Sequence, residues 1–130
     1  MLVTVDTSRP TVLYVEDEIA LHGLVEFWLE DAGFEVRLAV DGQQALEMIR
    51  TDPPDLVITD AMMPRLSGDE LVETMKDDPE LAAIPIVMAT AAASPFRTKR
   101  MLERGCVAVL GKPLDETSFV AAARTALGLD

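Results

Sequence analysis

The chain has one cysteine, Cys106, and so cannot close an internal disulfide; a reducing, cytoplasmic compartment is the expectation. It has no apolar run approaching the roughly 18 residues that a membrane helix needs. Residues 1–10 lack the basic start and apolar centre of a signal peptide. Neither membrane insertion nor export is expected. Positive charge is scarce: 11 Lys and Arg stand against 23 Asp and Glu, a net charge of −12. Such a polyanion is repelled by phosphate backbones and anionic lipid, so nucleic-acid binding by this domain alone is not expected. There is no internal repeat, low-complexity tract or linker. The turn after the first apolar run, Glu16-Asp17-Glu18, has no glycine to cradle a phosphate, which argues against a dinucleotide- or flavin-binding loop.

What is present is one domain's worth of alternating pattern. A chain of 130 residues with 49% hydrophobic and 26% charged content is globular and long enough for a real core. Short apolar runs alternate with longer amphipathic stretches, the signature of βα units in a parallel sheet. Thr11–Val15, Leu56–Thr59, Ile84–Met88 and Val107–Leu110 are near-continuous apolar runs, as in strands covered on both faces. Glu35–Val40 alternates instead and reads as an edge strand.

The helices carry their own start and stop signals. Leu21, Leu24, Val25, Trp28 and Leu29 follow helical spacing up to Gly33, which supplies a left-handed end. Asp41 caps a helix around Ala45, Leu46 and Ile49 that Pro53-Pro54 ends. Ser67-x-x-Glu70 is a capping box before Leu71, Val72 and Met75, closed by Asp78-Pro79. Ser94-Pro95 opens a fourth helix ending near Gly105. Asp115 opens a fifth through Val120, Ala123 and Leu127 to Gly128. Residues 1–10 are left as an N-terminal arm, and residues 11–128 form the domain.

In an open parallel sheet, ligands bind beyond the carboxyl ends of the strands. Those ends hold Glu16-Asp17, Asp60, Thr90 and Lys112-Pro113, which converge on one rim although far apart in the chain. Carboxylates packed together raise one another's pKa or require a cation. The donors are all oxygen, since His22 falls on the first helix and Cys106 at the opposite end of the fifth strand. Hard oxygen ligands suit Mg²⁺. Three carboxylates, one Mg²⁺ and one ammonium sum to about zero at neutral pH, so a phosphoryl dianion could enter, and an aspartate there could attack phosphorus.

Glu16-Asp17, Asp60, Met63-Pro64 with Gly68, Thr90-Ala91 and Lys112-Pro113, at these separations, resemble the receiver domain of two-component response regulators. The resemblance covers about residues 11–128. It implies a flavodoxin-like, doubly wound α/β fold: five parallel strands in the order 2-1-3-4-5 with five helices. It implies that Asp60 accepts phosphate from a sensor histidine kinase, a phosphotransfer protein or a small acyl phosphate. Asp17 and Asp60 would hold Mg²⁺ through side chains, Glu16 through water and Met62 through its main-chain carbonyl. Lys112 would pair with Asp60 and then with a phosphoryl oxygen, with Pro113 joined through a cis peptide. Thr90 would donate to the phosphoryl group, the small Ala91 leaving it accessible. The output surface would lie around the fourth helix, fifth strand and fifth helix, read by a downstream protein. The chain would be a monomer or weak homodimer without an output domain of its own.

Two departures stand out. Val109 occupies the position where many receivers carry a switching aromatic, so the Thr90 loop and the helix Pro95–Arg104 are expected to report the signal. Met62 and Ala92 lie where the family tunes self-hydrolysis, and neither can orient a water, which predicts a long phosphoryl lifetime.

Singly, each residue has a plainer reading: Glu16-Asp17 as a helix start, Asp60 as a turn cap, Thr90 as a strand residue, Lys112 as a solvated loop. Ser67-Gly68, Asp41-Gly42 and Ser94-Pro95 read as structural caps, Trp28 and Cys106 as packing, His22 as a surface residue and the methionines as core filler. Arg97, Lys99, Arg100 and Arg104 form a basic cluster that reads as a solvated face or a partner surface. Two other functions compete. A magnesium-dependent aspartyl-phosphate phosphatase would need a second acid two residues after Asp60, where Met62 stands. A degenerate receiver acting as an unphosphorylated interaction module would not need the full acidic set.

Overall fold

The computed structural model describes residues 9–129; the part of the expected N-terminal arm formed by residues 1–8 lies outside them. The chain runs β1 (Thr11–Val15), α1 (Ile19–Asp31), β2 (Glu35–Ala39), α2 (Gly42–Thr51), β3 (Leu56–Thr59), α3 (Gly68–Asp77), β4 (Ile86–Thr90), α4 (Pro95–Glu103), β5 (Ala108–Gly111) and α5 (Glu116–Ala126). The strands are parallel and ordered β2-β1-β3-β4-β5, with β1 in register against both β2 and β3. Strand order reverses at β1, so the carboxyl ends of β1 and β3 flank the crevice that a doubly wound sheet opens to ligands.

Alternation along each strand builds two cores. Leu13, Val15, Val57, Ile86 and Met88 face one way, under Leu46 and Ile49 of α2, Leu71 and Met75 of α3, and Met101 of α4. Val12, Tyr14, Leu56, Ile58 and Val87 face the other, under Val25 and Leu29 of α1 and Phe119 of α5. Each fully buried aliphatic of this kind contributes about 1.5–3 kcal/mol, so the sheet is rigid enough to hold side chains at its rim in place. The described part of the arm is tied down: the Arg9 guanidinium donates to the Glu30 and Gly33 carbonyls at 2.8 and 3.1 Å, where α1 ends.

Several expectations shift. β4 begins at Ile86, two residues late, because Pro85 has no N–H for the ladder and serves only as acceptor for Val57 N–H; it then continues through Thr90, paired with Gly111. β5 is the second edge strand and is only half-buried, so its apolar run did not signify cover on both faces. Leu24 is exposed, since the buried stripe of α1 passes through His22, Val25, Trp28 and Leu29. His22 is thus corrected from surface to buried: its ring meets Tyr14 edge-on, and Nε2 lies 2.6 Å from the Glu16 carbonyl oxygen. Trp28 packs against Phe119, and Cys106 is buried, its thiol pushed up to about 11 by burial.

The caps form as the sequence signals. Ser67 and Glu70 complete a capping box at α3, and Ser94 and Asp115 accept the N–H groups of Arg97 and Ser118. Asp41 caps α2 by accepting from Gln44 N–H at 2.7 Å and also takes Arg65 Nε at 2.8 Å. The Gln44 bond above all, then the Arg65 guanidinium, holds its carboxyl below the usual range against the opposing effect of burial. A depressed carboxyl contributes stability that is complete above the ordinary carboxylate pKa and lost as pH falls through the lower folded value. Asp41→Ala is therefore expected to cost about 1 kcal/mol near neutrality, with a shallower acid limb in urea unfolding measured against pH. An unchanged acid limb would show that Asp41 carries no such linkage.

Candidate functional site

Four of the five strands, all but β2, deliver their last or next residue to the same rim. Glu16 follows β1, Asp60 follows β3, Thr90 ends β4 and Lys112 follows β5. Backbone bonds set their depth: Glu16 N–H to Ala39, Asp60 N–H to Val15 and Lys112 N–H to Thr90, at 2.9–3.0 Å. Lys112, joined to Pro113 by a cis peptide, is 96 residues from Glu16, yet its ammonium donates to Glu16 Oε1 at 2.6 Å and to Asp60 Oδ2 at 3.0 Å. Ligand oxygens of Glu16, Asp17 and Asp60 all lie within 4.8 Å of one another.

The three acids are held differently. Glu16 is 1% exposed; besides Lys112 it accepts from the Tyr14 hydroxyl at 3.3 Å and from Glu18 N–H at 3.1 Å. It therefore also steadies the start of α1, where Glu18 supplies no side-chain cap of its own. Burial pushes the Glu16 carboxyl up, opposed by the Lys112 and Glu18 bonds and aided by the Asp60 charge. Burial raises the Tyr14 hydroxyl too, with Glu16 adding to it. Asp60 is 6% exposed, its Oδ1 taken by the N–H groups of Ala61 at 2.6 Å and Met62 at 3.3 Å. Burial disfavours its charge, but bonds from the Thr90 hydroxyl, Lys112 and Met62 N–H outweigh that and hold the carboxyl below its usual range. Lys112 is likewise raised, the bonds to Glu16 and Asp60 overcoming burial. Asp17 is exposed and, among the described residues, makes no hydrogen bond or ion pair.

Neighbouring carboxyls driven in opposite directions are a signature of divided chemical roles. Asp60 stays an anion at the mouth, with a hydroxyl and an ammonium already directed at it. A hard cation fits this donor set: the atoms are all carboxylate oxygen, closely gathered, and Asp17 is unspent.

The remaining expected residues stand around this centre. Ala91 is exposed beside Thr90, whose Oγ1 also accepts from Ala92 N–H at 3.0 Å. Met62 is 60% exposed, and Val109 packs half-buried against the core side shared with α3 and α4. The basic cluster on α4 divides: Arg97 and Arg104 are paired with acids of α3, while Lys99 and Arg100 are exposed. Sequence reasoning did not find Tyr14 or His22 behind Glu16; it quoted Gly68 in the receiver pattern and as a helix cap, but not that its N–H donates to the Ala61 carbonyl at 2.9 Å directly behind Asp60. A Ser-Gly helix start gives no local sign of what packs on it.

A family model for the response regulator receiver domain matches residues 12–124. The chain belongs to that family. Among curated relatives, the polar-differentiation response regulator DivK of Brucella anthropi is 33% identical over 118 residues, covering 91% of this chain and 96% of DivK. Hybrid signal transduction histidine kinase D of Dictyostelium discoideum is 37% identical over 114 residues, covering 88% of this chain but only 7% of that much longer protein. Among solved structures, the chemotaxis response regulator CheY4 of Vibrio cholerae superposes with a TM-score of 0.85 at 30% identity, covering 92% of this chain and all of the other. The doubly wound order 2-1-3-4-5 expected of a receiver is the order found, and the phosphatase reading is not favoured. Among the described residues, no helix of this receiver is long and apolar enough to cross a membrane.

Proposed function

We propose that this receiver, one unit over residues 11–128, is a phosphorylation switch in which Asp60 is the phosphoacceptor. The observation that carries the reading is the doubly anchored Asp60 carboxylate: main-chain N–H groups on one oxygen, Lys112 on the other, and Asp17 unpaired beside it. An Asp60 oxygen attacks phosphorus in a phosphohistidine or acyl phosphate; the P–N or P–O bond breaks and its electron pair leaves with the donor. Lys112 follows the transferred oxygens with its ammonium, and the Thr90 hydroxyl turns from the carboxylate to the phosphoryl group, drawing Ala92 and its loop inward. Ala91, small and exposed, leaves the approach open.

Asp17 and Asp60 would hold Mg²⁺ through side chains, Glu16 through water and Met62 through its carbonyl. The ion supplies charge neutralisation for the incoming phosphoryl oxygens. The placement of Glu16 supports an indirect role, since both its oxygens are engaged by protein donors. Partners of matching chemistry are a sensor histidine kinase or phosphotransfer protein upstream and a protein target downstream, in the cytoplasm, with the receiver a monomer or weak homodimer. The surface around α4, β5 and α5 would carry the output, without an aromatic at Val109.

Incubation with acetyl phosphate and Mg²⁺, followed by intact-mass measurement, tests this. One phosphoryl group is expected on the wild type and none on Asp60→Asn. Neither Met62 nor Ala92 can orient a water, so self-hydrolysis is expected over minutes or longer. Rapid multiple turnover of phosphate esters would support the phosphatase, absence of adduct the degenerate module, and a half-life of seconds would overturn the lifetime prediction.

A further inference from the structure

The α3–α4 seam is held by charge. Asp69, Glu73 and Asp77 stand at four-residue intervals on α3, and Arg97 of α4 and Arg104 at its C-cap reach them. Met101 is the one α4 side chain in the core. The two arginines differ in what else they touch. Arg104 is confined to α3, with Nε 2.8 Å from Glu73 Oε1. Arg97 is shared three ways: it donates to Asp69 Oδ2 at 3.1 Å and to the Ala92 carbonyl at 2.9 Å, and it lies 3.9 Å from Met62 Sδ. Met62 is two residues beyond Asp60 and Ala92 two beyond Thr90, and both bond back to those residues through their N–H groups. The Arg97 guanidinium thus sits on the rim of the acceptor site while leaning away from it, onto Asp69.

Two further observations make that arrangement exchangeable. Asp69 Oδ1 is buried with no hydrogen-bond partner, so the pair is one bond short of a full carboxylate–guanidinium fork and keeps a dry oxygen. A cavity of about 260 Å³ lined by Asp69, Ser94, Phe96, Arg97, Arg100 and Met101 leaves the partners room to part. The charge balance supplies the drive. When Asp60 becomes an acyl phosphate bearing a phosphoryl group of about −2, the carboxylates of Glu16 and Asp17, the Lys112 ammonium and a divalent ion leave the site about one negative charge in excess.

We infer that Arg97 exchanges Asp69 for the phosphoryl group on Asp60. It then helps hold the modified state, while the freed Asp69 regains water and the N-terminal end of α4 comes loose from α3. Arg104 keeps the far end clamped, so α4 pivots rather than detaches. This deepens the phosphoacceptor reading of Asp60 and rests on it. It makes Arg97 and Asp69 opponents, although they are bonded to each other.

The test is the half-life of the phosphoryl adduct, loaded from acetyl phosphate and followed by intact mass, in the wild type, Arg97→Gln, Arg97→Lys and Asp69→Asn. Loss of one partly screened charge-assisted contact predicts a half-life about three- to tenfold shorter in Arg97→Gln, with Arg97→Lys between it and the wild type. Asp69→Asn removes the competitor and is expected to lengthen it about threefold, by the same partly screened charge interaction. Hydrogen exchange at residues 96–98 should rise on phosphorylation of the wild type and be already raised in unmodified Asp69→Asn. Half-lives that move in the same direction in Arg97→Gln and Asp69→Asn, or do not move, overturn the exchange while leaving Asp60 as acceptor. Failure of the wild type to take up an Asp60-dependent phosphoryl group overturns the acceptor reading, and the exchange falls with it.

Discussion

Lys112→Met is expected to lower the unfolding free energy by about 3 kcal/mol when divalent ions are chelated, as for a nearly buried ion pair that loses one partner. The methionine keeps most of the stem, so packing changes little and the charge change dominates. The ammonium now bonds Glu16 Oε1 and Asp60 Oδ2 at once, with Glu16 closed off from solvent. Without it, two carboxylates face each other in a site that already pushes Glu16 towards its neutral form. Glu16, already raised by burial, loses the Lys112 bond that opposes this and rises further, while Asp60 loses part of what holds it low. The Glu16 penalty is present above its raised folded pKa and relieved as pH falls through it, so the variant should recover stability on mild acidification. Saturating Mg²⁺ replaces the missing positive charge and should close much of the gap by binding the folded state. Urea unfolding of wild type and variant, with chelator and with Mg²⁺ across pH, checks all three. A loss under about 1 kcal/mol, the usual worth of an exposed pair, would mean that Lys112 is a solvated surface lysine.

Gly68→Ala is expected to be as damaging for a steric reason. Gly68 is the first residue of α3, and a Cβ built there would stand 1.7 Å from the Asp60 carbonyl oxygen and 2.9 Å from Ala61 Cα. Both are backbone atoms, with no side-chain end able to swing away. Backbone freedom is not the reason for the glycine, since its φ is not positive. Relief requires α3 to back out, breaking the Gly68 N–H bond to Ala61 and dragging the turn that aims Asp60. Forced overpacking of this kind costs about 3 kcal/mol or more. The variant should show a large fall in melting temperature together with slowed uptake of phosphate from acetyl phosphate. Gly23→Ala is the internal control: nothing lies within 4 Å of its Cβ position, and in a helix the alanine should stabilise by roughly 0.5–1 kcal/mol. Near-wild-type stability of Gly68→Ala would mean that α3 is not packed on the Asp60 turn.

The five strands and five helices were legible because their signals are local. Asp41, Ser67, Ser94 and Asp115 each cap the helix their position announces, and Gly33 and Gly105 take the positive φ of helix ends. The errors came where a residue's neighbours are set by how elements pack and not by spacing along the chain. His22 reads as an exposed polar residue on a helix, yet α1 turns it onto Tyr14 and the Glu16 carbonyl. Two of the four basic residues on α4 look solvated until α3 brings Asp69 and Glu73 alongside.

By itself the sequence determined that apolar runs would form a parallel sheet and that Glu16, Asp17, Asp60, Thr90 and Lys112 would meet at its rim. Strand period and the common direction of βα units leave no other place for residues at strand ends. Only the tertiary structure decided how those residues divide the work of holding one another: Lys112 between two acids, Gly68 against the back of Asp60, Arg97 leaning on Asp69. Such pairings depend on strand order, helix seating and side-chain reach over ångströms, and these quantities leave no trace in the spacing of residues along the chain.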